Sequence, residues 1–187
     1  MDFKRHIEVA WNLTIGNIVS LILLTLVLAG ISTLTMGLAA PVIMAGYTQS
    51  LLLLVRDGRE PKVQDLFSQI RLFFPLLIFG VVVFIAVLIG LSLLFLPGVL
   101  LIVAITFFCI YMLPLMTDKN MGLIQAIKES YAMSRRMQLV DHVIVVVIFS
   151  AISMIGGSFF IGMLFTQPLA TLFLLSTYEE IKDTTLV

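Results

Sequence analysis

The chain has 187 residues, 60% hydrophobic and only 12% charged, with a mean hydropathy of +1.15. A soluble domain carries about a quarter charged residues, so that class is excluded and one integral membrane domain, residues 1–187, is expected. The formal net charge of zero gives no electrostatic reason for a nucleic-acid partner, and the single cysteine, Cys109, cannot form an internal disulfide.

Residues 2–11 read as a short amphipathic helix. Phe3, Ile7, Ala10, Trp11 and Thr14 share one face, Arg5, Glu8 and Asn12 the other, and Trp11 stands where an interfacial aromatic belongs. A first span is expected over residues 14–34, too long for the apolar region of a cleavable signal. After the uncharged turn 33–37, a second span covers 38–55, with Pro41 in its first turn, where proline costs least. A charged loop follows from Arg56, and residues 63–74 form a second amphipathic segment with Val63, Leu66, Phe67, Ile70 and Phe74 on one side. Pro75 ends that segment and opens a third span, 75–96. Leu96-Pro97-Gly98 reads as a tight reversal into a fourth span, 99–115, with Pro114 near its exit.

The longest polar run, residues 119–140, predicts a third amphipathic helix. Leu123, Ile127, Ser130, Tyr131, Ser134 and Met137 lie on one side, and Gln125, Lys128, Glu129, Ala132, Arg135 and Arg136 on the other. A fifth span is expected over 143–158 and a sixth over 162–178, separated by an uncharged turn. This stretch is short for two spans of about 20 residues each, so a fifth span followed by a re-entrant or interfacial segment is the alternative. The fold class is therefore all-α: a polytopic membrane protein of six transmembrane helices in three hairpins, each preceded by a short cytoplasmic amphipathic helix.

Charge sets the orientation. All eleven Lys and Arg fall at Lys4 and Arg5, in 56–71, in 119–136 and at Lys182, and the three opposite turns carry none. The positive-inside rule then puts both termini in the cytoplasm, and bacterial inner membrane is the expected location. A five-span chain would instead carry Lys182, Glu179, Glu180 and Asp183 across. A weak threefold repeat accompanies this order, with prolines Pro41, Pro97 and Pro168 followed by Tyr47, Tyr111 and Tyr178. Ordinary apolar hairpins produce such a pattern equally well.

From Pro41 onward the chain resembles a broad group of uncharacterised bacterial polytopic membrane proteins related to the membrane domain of glycerophosphoryl diester phosphodiesterases. The resemblance rests on Ala45-Gly46-Tyr47, Val63-Gln64-Asp65-Leu66-Phe67, the run from Leu94 to Leu101, the helix from Ile124 to Ser130, and Gln167-Pro168 with Tyr178. It implies six helices with cytoplasmic amphipathic segments. It implies no activity, because the phosphodiesterase members hydrolyse with a separate soluble domain, and it supplies no catalytic residues.

No catalytic, cofactor-binding or metal constellation is expected. His6 and His142 lie at predicted membrane edges, where structural roles suffice, and Asp141 suits a helix entry. No ionisable group lies inside a predicted span, although such groups usually mark ion or substrate pathways. Asn17 and Gln49 are the costliest polar residues there and are expected to make intramembrane polar contacts. Ser130 and Ser134 are expected to bond back to their own helix. Small-residue spacings such as Gly46 with Ser50, Ala86 with Gly90 and Ser153 with Gly157 favour close helix packing.

The candidate contact surface for lipid headgroups or a partner is the cytoplasmic set Arg56, Arg59, Lys62, Arg71, Lys119, Lys128, Arg135 and Arg136. Each such charge near an anionic leaflet is worth about 1 kcal/mol. The expected function is non-enzymatic, an accessory or scaffold subunit with that surface facing a protein partner or a second copy. The alternative is a small transporter or lipid-handling protein with an uncharged cavity.

Overall fold

The computed structural model describes residues 1–157 and 160–184, with no strand among them. The helices are α1 (Phe3–Gly16), α2 (Ile18–Leu34), α3 (Ala40–Asp57), α4 (Phe73–Leu94), α5 (Leu96–Cys109), α6 (Met112–Asp118), α7 (Leu123–Arg136), α8 (Leu139–Gly157) and α9 (Phe160–Thr184). The expected third uncharged turn, 156–162, includes Ser158 and Phe159, which lie outside the described residues.

Among the described residues, three segments are long and apolar enough to cross a membrane: Val63–Leu93, Leu96–Asp118 and Leu139–Gly156. A fourth arises if α1 and α2, which meet at an 88° bend, count as one crossing. The helices expected as second and sixth spans, α3 and α9, are not among them. Both carry many small polar residues, and both lie at the centre of the bundle: Tyr47, Leu51 and Leu52 of α3 and Leu172, Phe173, Leu175 and Tyr178 of α9 are fully buried. The apolar α4 and α8 lie outside, with only 11% and 17% of their span windows buried. Val82, Phe84, Val147 and Met154 point outward. Water would penalise such a surface and hydrocarbon does not. The most hydrophobic helices thus face the surroundings while the more polar ones pair with each other.

Several local expectations shift. Residues 63–72 form not an α-helix but two 3₁₀ turns, Val63–Phe67 and Ile70–Leu72, and Phe73 and Phe74 already belong to α4. The first turn lays its backbone directly on Gly46 of α3, where a Cβ would stand 2.2 Å from the Leu66 carbonyl oxygen. Ser50 Oγ donates to Asp65 Oδ2 at 2.8 Å, and Arg59 pairs with the same carboxylate. Docking to one small-residue face of α3 has replaced helical periodicity here.

The reversal between α4 and α5 is tighter than expected. It turns at Phe95 (φ 39°), so that Pro97 and Gly98 fall in the first turn of α5 rather than before it. Gly98 then approaches Gly90 of α4 backbone to backbone.

The amphipathic helices α1 and α7 are rotated from their expected faces. α1 buries His6, Ala10 and Thr14 and leaves Ile7 and Trp11 about half exposed. α7 buries Ala126, Ser130, Met133 and Ser134 and turns Ile124 and Tyr131 outward. In each case a stripe of small and polar side chains meets the bundle, and an aromatic residue is left at the rim, where an interface would hold it.

Candidate functional site

The four charged stretches of the sequence come together at one end of the bundle. Asp118, the last residue of α6, is almost fully buried there. Its carboxylate receives Arg56 Nη1 at 2.9 Å, Lys182 Nζ at 2.9 Å and the Tyr178 hydroxyl at 3.0 Å. Arg56 also grips Glu179 through two hydrogen bonds, Nε to Oε2 at 3.3 Å and Nη2 to Oε1 at 2.6 Å. Glu179 first and Asp118 second raise the pKa of the Arg56 guanidinium, holding it in its charged form. Charge-assisted, forked bonds of this kind are the stronger hydrogen bonds in proteins, and here they fasten α3, α6 and α9 together. Nearby, His6 of α1 is buried between Ser176 Oγ (2.7 Å) and Glu180 Oε2 (2.8 Å) of α9.

The fate of the predicted contact residues follows from this cluster. Arg56 is committed to Asp118 and Glu179, Arg59 to Asp65, and Arg136 to Glu129 at 3.0 Å. Arg71 binds Gln69 and Asn120, tying the second 3₁₀ turn to the end of α6. Lys62, Lys119, Lys128 and Arg135 are exposed. Asn17 sits at the bend between α1 and α2, where its side-chain amide donates to the Leu13 carbonyl at 3.1 Å. It does not meet Gln49, whose buried Oε1 has no partner among the described residues.

Next to the charge cluster, the expected fourth span is broken. α5 stops at Cys109 and α6 starts at Met112. Pro114 explains the position: it has no N–H to offer the carbonyl four residues earlier, at Ile110, and its ring crowds that carbonyl. Backbone groups freed within a span need other partners, since lipid supplies none. The Ser130 hydroxyl of α7 donates to the Phe108 carbonyl at 2.7 Å and accepts from the Tyr111 N–H at 3.3 Å. His142 of α8, fully buried, donates from Nε2 to the Phe107 carbonyl at 2.8 Å. Ser134 bonds back to Ser130 as expected, at 2.9 Å, and also reaches the Phe107 carbonyl at 3.4 Å. Ser130→Ala is expected to cost about 1–3 kcal/mol, because a buried carbonyl and amide both lose their partner. The measurement is the thermal unfolding midpoint of the detergent-solubilised chain. An unchanged midpoint would show that the break needs no stitch.

The sequence matches no protein-family model, no curated protein and no solved structure.

Beside the break lies a cavity of ≈ 240 Å³. Met44 and Thr48 of α3, Thr106 and Cys109 of α5, Met112 and Leu113 of α6, and Thr171 and Leu174 of α9 are among its lining residues, together with Phe79 and Phe149; none is charged. The hydroxyls of Thr48 and Thr171 are spent on their own helices, donating to the Met44 and Gln167 carbonyls. The walls from α9 are buried, while Phe79, Thr106 and Phe149 are only partly so. Cavities with mainly apolar walls take up apolar guests. Met44 also lines a second, wider hollow of ≈ 620 Å³ near Thr33 and Pro41, where Gln167 Nε2 lies 3.8 Å from the Met44 sulfur.

Sequence reasoning missed Asp118 and Glu179 as organising residues, and gave His142 a structural role without its partner, the Phe107 carbonyl. Pro114 was the available signal for the break. For Asp118 the signal was weaker: a single acid closing an apolar run, with its partners Arg56 and Lys182 far away in sequence.

Proposed function

We propose that this is a non-enzymatic lipid-handling protein of the bacterial inner membrane, holding an uncharged, chain-like apolar molecule in the cavity beside the broken α5–α6 segment. The observation that carries the reading is the cavity itself, without a charge on its wall and bordered by an interrupted helix. Interrupted helices are tolerated at membrane depth where they line a cavity or are buried in protein. In this reading the bundle crosses the membrane six times, with α3 and α9 shielded from lipid by the outer helices. Both termini are cytoplasmic, in keeping with the gathering of all the charged stretches at one end. The resemblance to phosphodiesterase membrane domains accords with the same arrangement.

A second reading, an accessory or scaffold subunit, is favoured by the exposure of Lys62, Lys119 and Lys128 on the charged end, where a protein partner or second copy would meet them. One experiment separates the two. A long-chain alcohol bearing a diazirine is photolysed with the full chain in nanodiscs and the adducts are mapped by mass spectrometry. Saturable labelling of Met44, Cys109 and Met112, abolished by Thr171→Phe, is the expected result. Labelling confined to outward residues such as Leu93 and Ile155 removes the cavity reading and leaves the scaffold.

A further inference from the structure

A different groove, of ≈ 350 Å³, lies where the end of α5, the last turn of α7 and the start of α8 meet, away from the central cavity. Its walls are Phe107, Phe108, Tyr131, Met137 and Leu139, and Arg135 stands at its edge. Arg135 is exposed, donates to the Tyr131 hydroxyl at 3.2 Å and lies 5.7 Å from that ring's centre. Among the described residues it has no carboxylate partner. Glu129 is taken by Arg136, and Asp141 and Glu180 line a separate hollow with Arg136.

The position of the groove decides what fits it. Arg135 precedes by four residues Leu139, where the apolar, outward-facing segment Leu139–Gly156 begins. Leu139, Val140, Val143 and Val147 are all exposed and continue the groove as an apolar stripe along α8. An uncompensated guanidinium at the head of an aromatic groove, followed by a lipid-facing stripe, matches a molecule with an anionic head and a long apolar tail.

We propose that this groove binds one anionic phospholipid, its phosphate on Arg135 and an acyl chain against Phe108, Tyr131 and Leu139. The site stands whether or not the central cavity holds a guest. Aromatic rings and basic side chains are the groups proteins place at the headgroup level.

The test uses the full purified chain in neutral detergent, titrated in separate arms with phosphatidylglycerol, with phosphatidylcholine of the same acyl chains, and with phosphatidylglycerol in the presence of inorganic phosphate. Bound lipid is counted by native mass spectrometry. Phosphatidylglycerol is expected to bind about five- to tenfold more tightly than phosphatidylcholine, one basic group being worth about that factor. Arg135→Gln is expected to abolish the preference, and Lys4→Gln, a change at an exposed residue of α1, to leave it intact. Leu139→Ser is expected to weaken both lipids alike. Equal binding of the two lipids by the unaltered chain overturns the proposal, as does a preference that survives in Arg135→Gln. Displacement of the lipid by inorganic phosphate at equal concentration would assign the charge to a free anion and overturn it too.

Discussion

Asp118→Leu is expected to destabilise the protein by about 3 kcal/mol, because Arg56 and Lys182 lose their most buried carboxylate and Glu179 alone is left to answer both charges. Asp118 is the most buried member of its cluster, with a side-chain exposure of 7% against 32% for Arg56 and 21% for Lys182. Removing the buried partner of a desolvated ion pair is costly, whereas replacing both partners by apolar groups is often nearly neutral. The double variant Arg56→Met with Asp118→Leu is therefore expected to recover part of the loss. Glu179 limits that recovery, since its forked bonds to Arg56 disappear as well. The measurement is the midpoint of thermal unfolding in detergent for the two single variants and the double. Additive losses would mean that the pair does not act as a unit.

Gly46→Ala is expected to expel the first 3₁₀ turn from α3, at a cost of about 1–3 kcal/mol for overpacking, and Gly46→Val to do so more completely. The obstacle is backbone: the added carbon would meet the carbonyl oxygens of Leu66 at 2.2 Å and Asp65 at 2.6 Å, which cannot swing aside as a side chain does. Once the turn lifts, Asp65 loses Ser50, and Arg59 loses the anchored carboxylate. Limited trypsin digestion reads this out, since Arg59 and Lys62 immediately precede the turn. Faster cleavage at those two sites is expected in both variants. A rate equal to that of the unaltered chain would show that the turn is held by something other than contact with α3.

What could be read in the sequence was mainly its charge distribution and its punctuation. The clustering of Arg56, Lys182 and the acids near residue 179 at one end follows from the same positions that define the positive-inside argument. Pro41, Pro97 and Pro114 mark two helix starts and one helix break. The three tyrosines of the weak repeat, Tyr47, Tyr111 and Tyr178, are all completely buried.

The facing of α1 and α7 was less legible. The expected faces put Tyr131 with Ser130 and Ser134, and Trp11 with Ala10 and Thr14. The bundle keeps the small residues, leaves the aromatics at the rim and adds His6, because Ser130 and His6 find specific partners in the Phe108 carbonyl and in Ser176 with Glu180. A hydrophobicity scale cannot know that a serine will be needed by a carbonyl at the end of another helix. Residues 63–72 defeated the helical reading for a similar reason: their apolar spacing is satisfied by docking on α3, and Gly46 is the residue that permits it.

The stitched break between α5 and α6 has a consequence for biosynthesis. The chain emerges from the ribosome in order, so the Phe107 and Phe108 carbonyls and the Tyr111 amide are made before Ser130 and long before His142. A nascent chain that ends at Asp118 lacks the Ser130 and His142 groups that complete the α5–α6 junction in the folded molecule. The junction therefore takes its final form only after α7 and the first turn of α8 have been made.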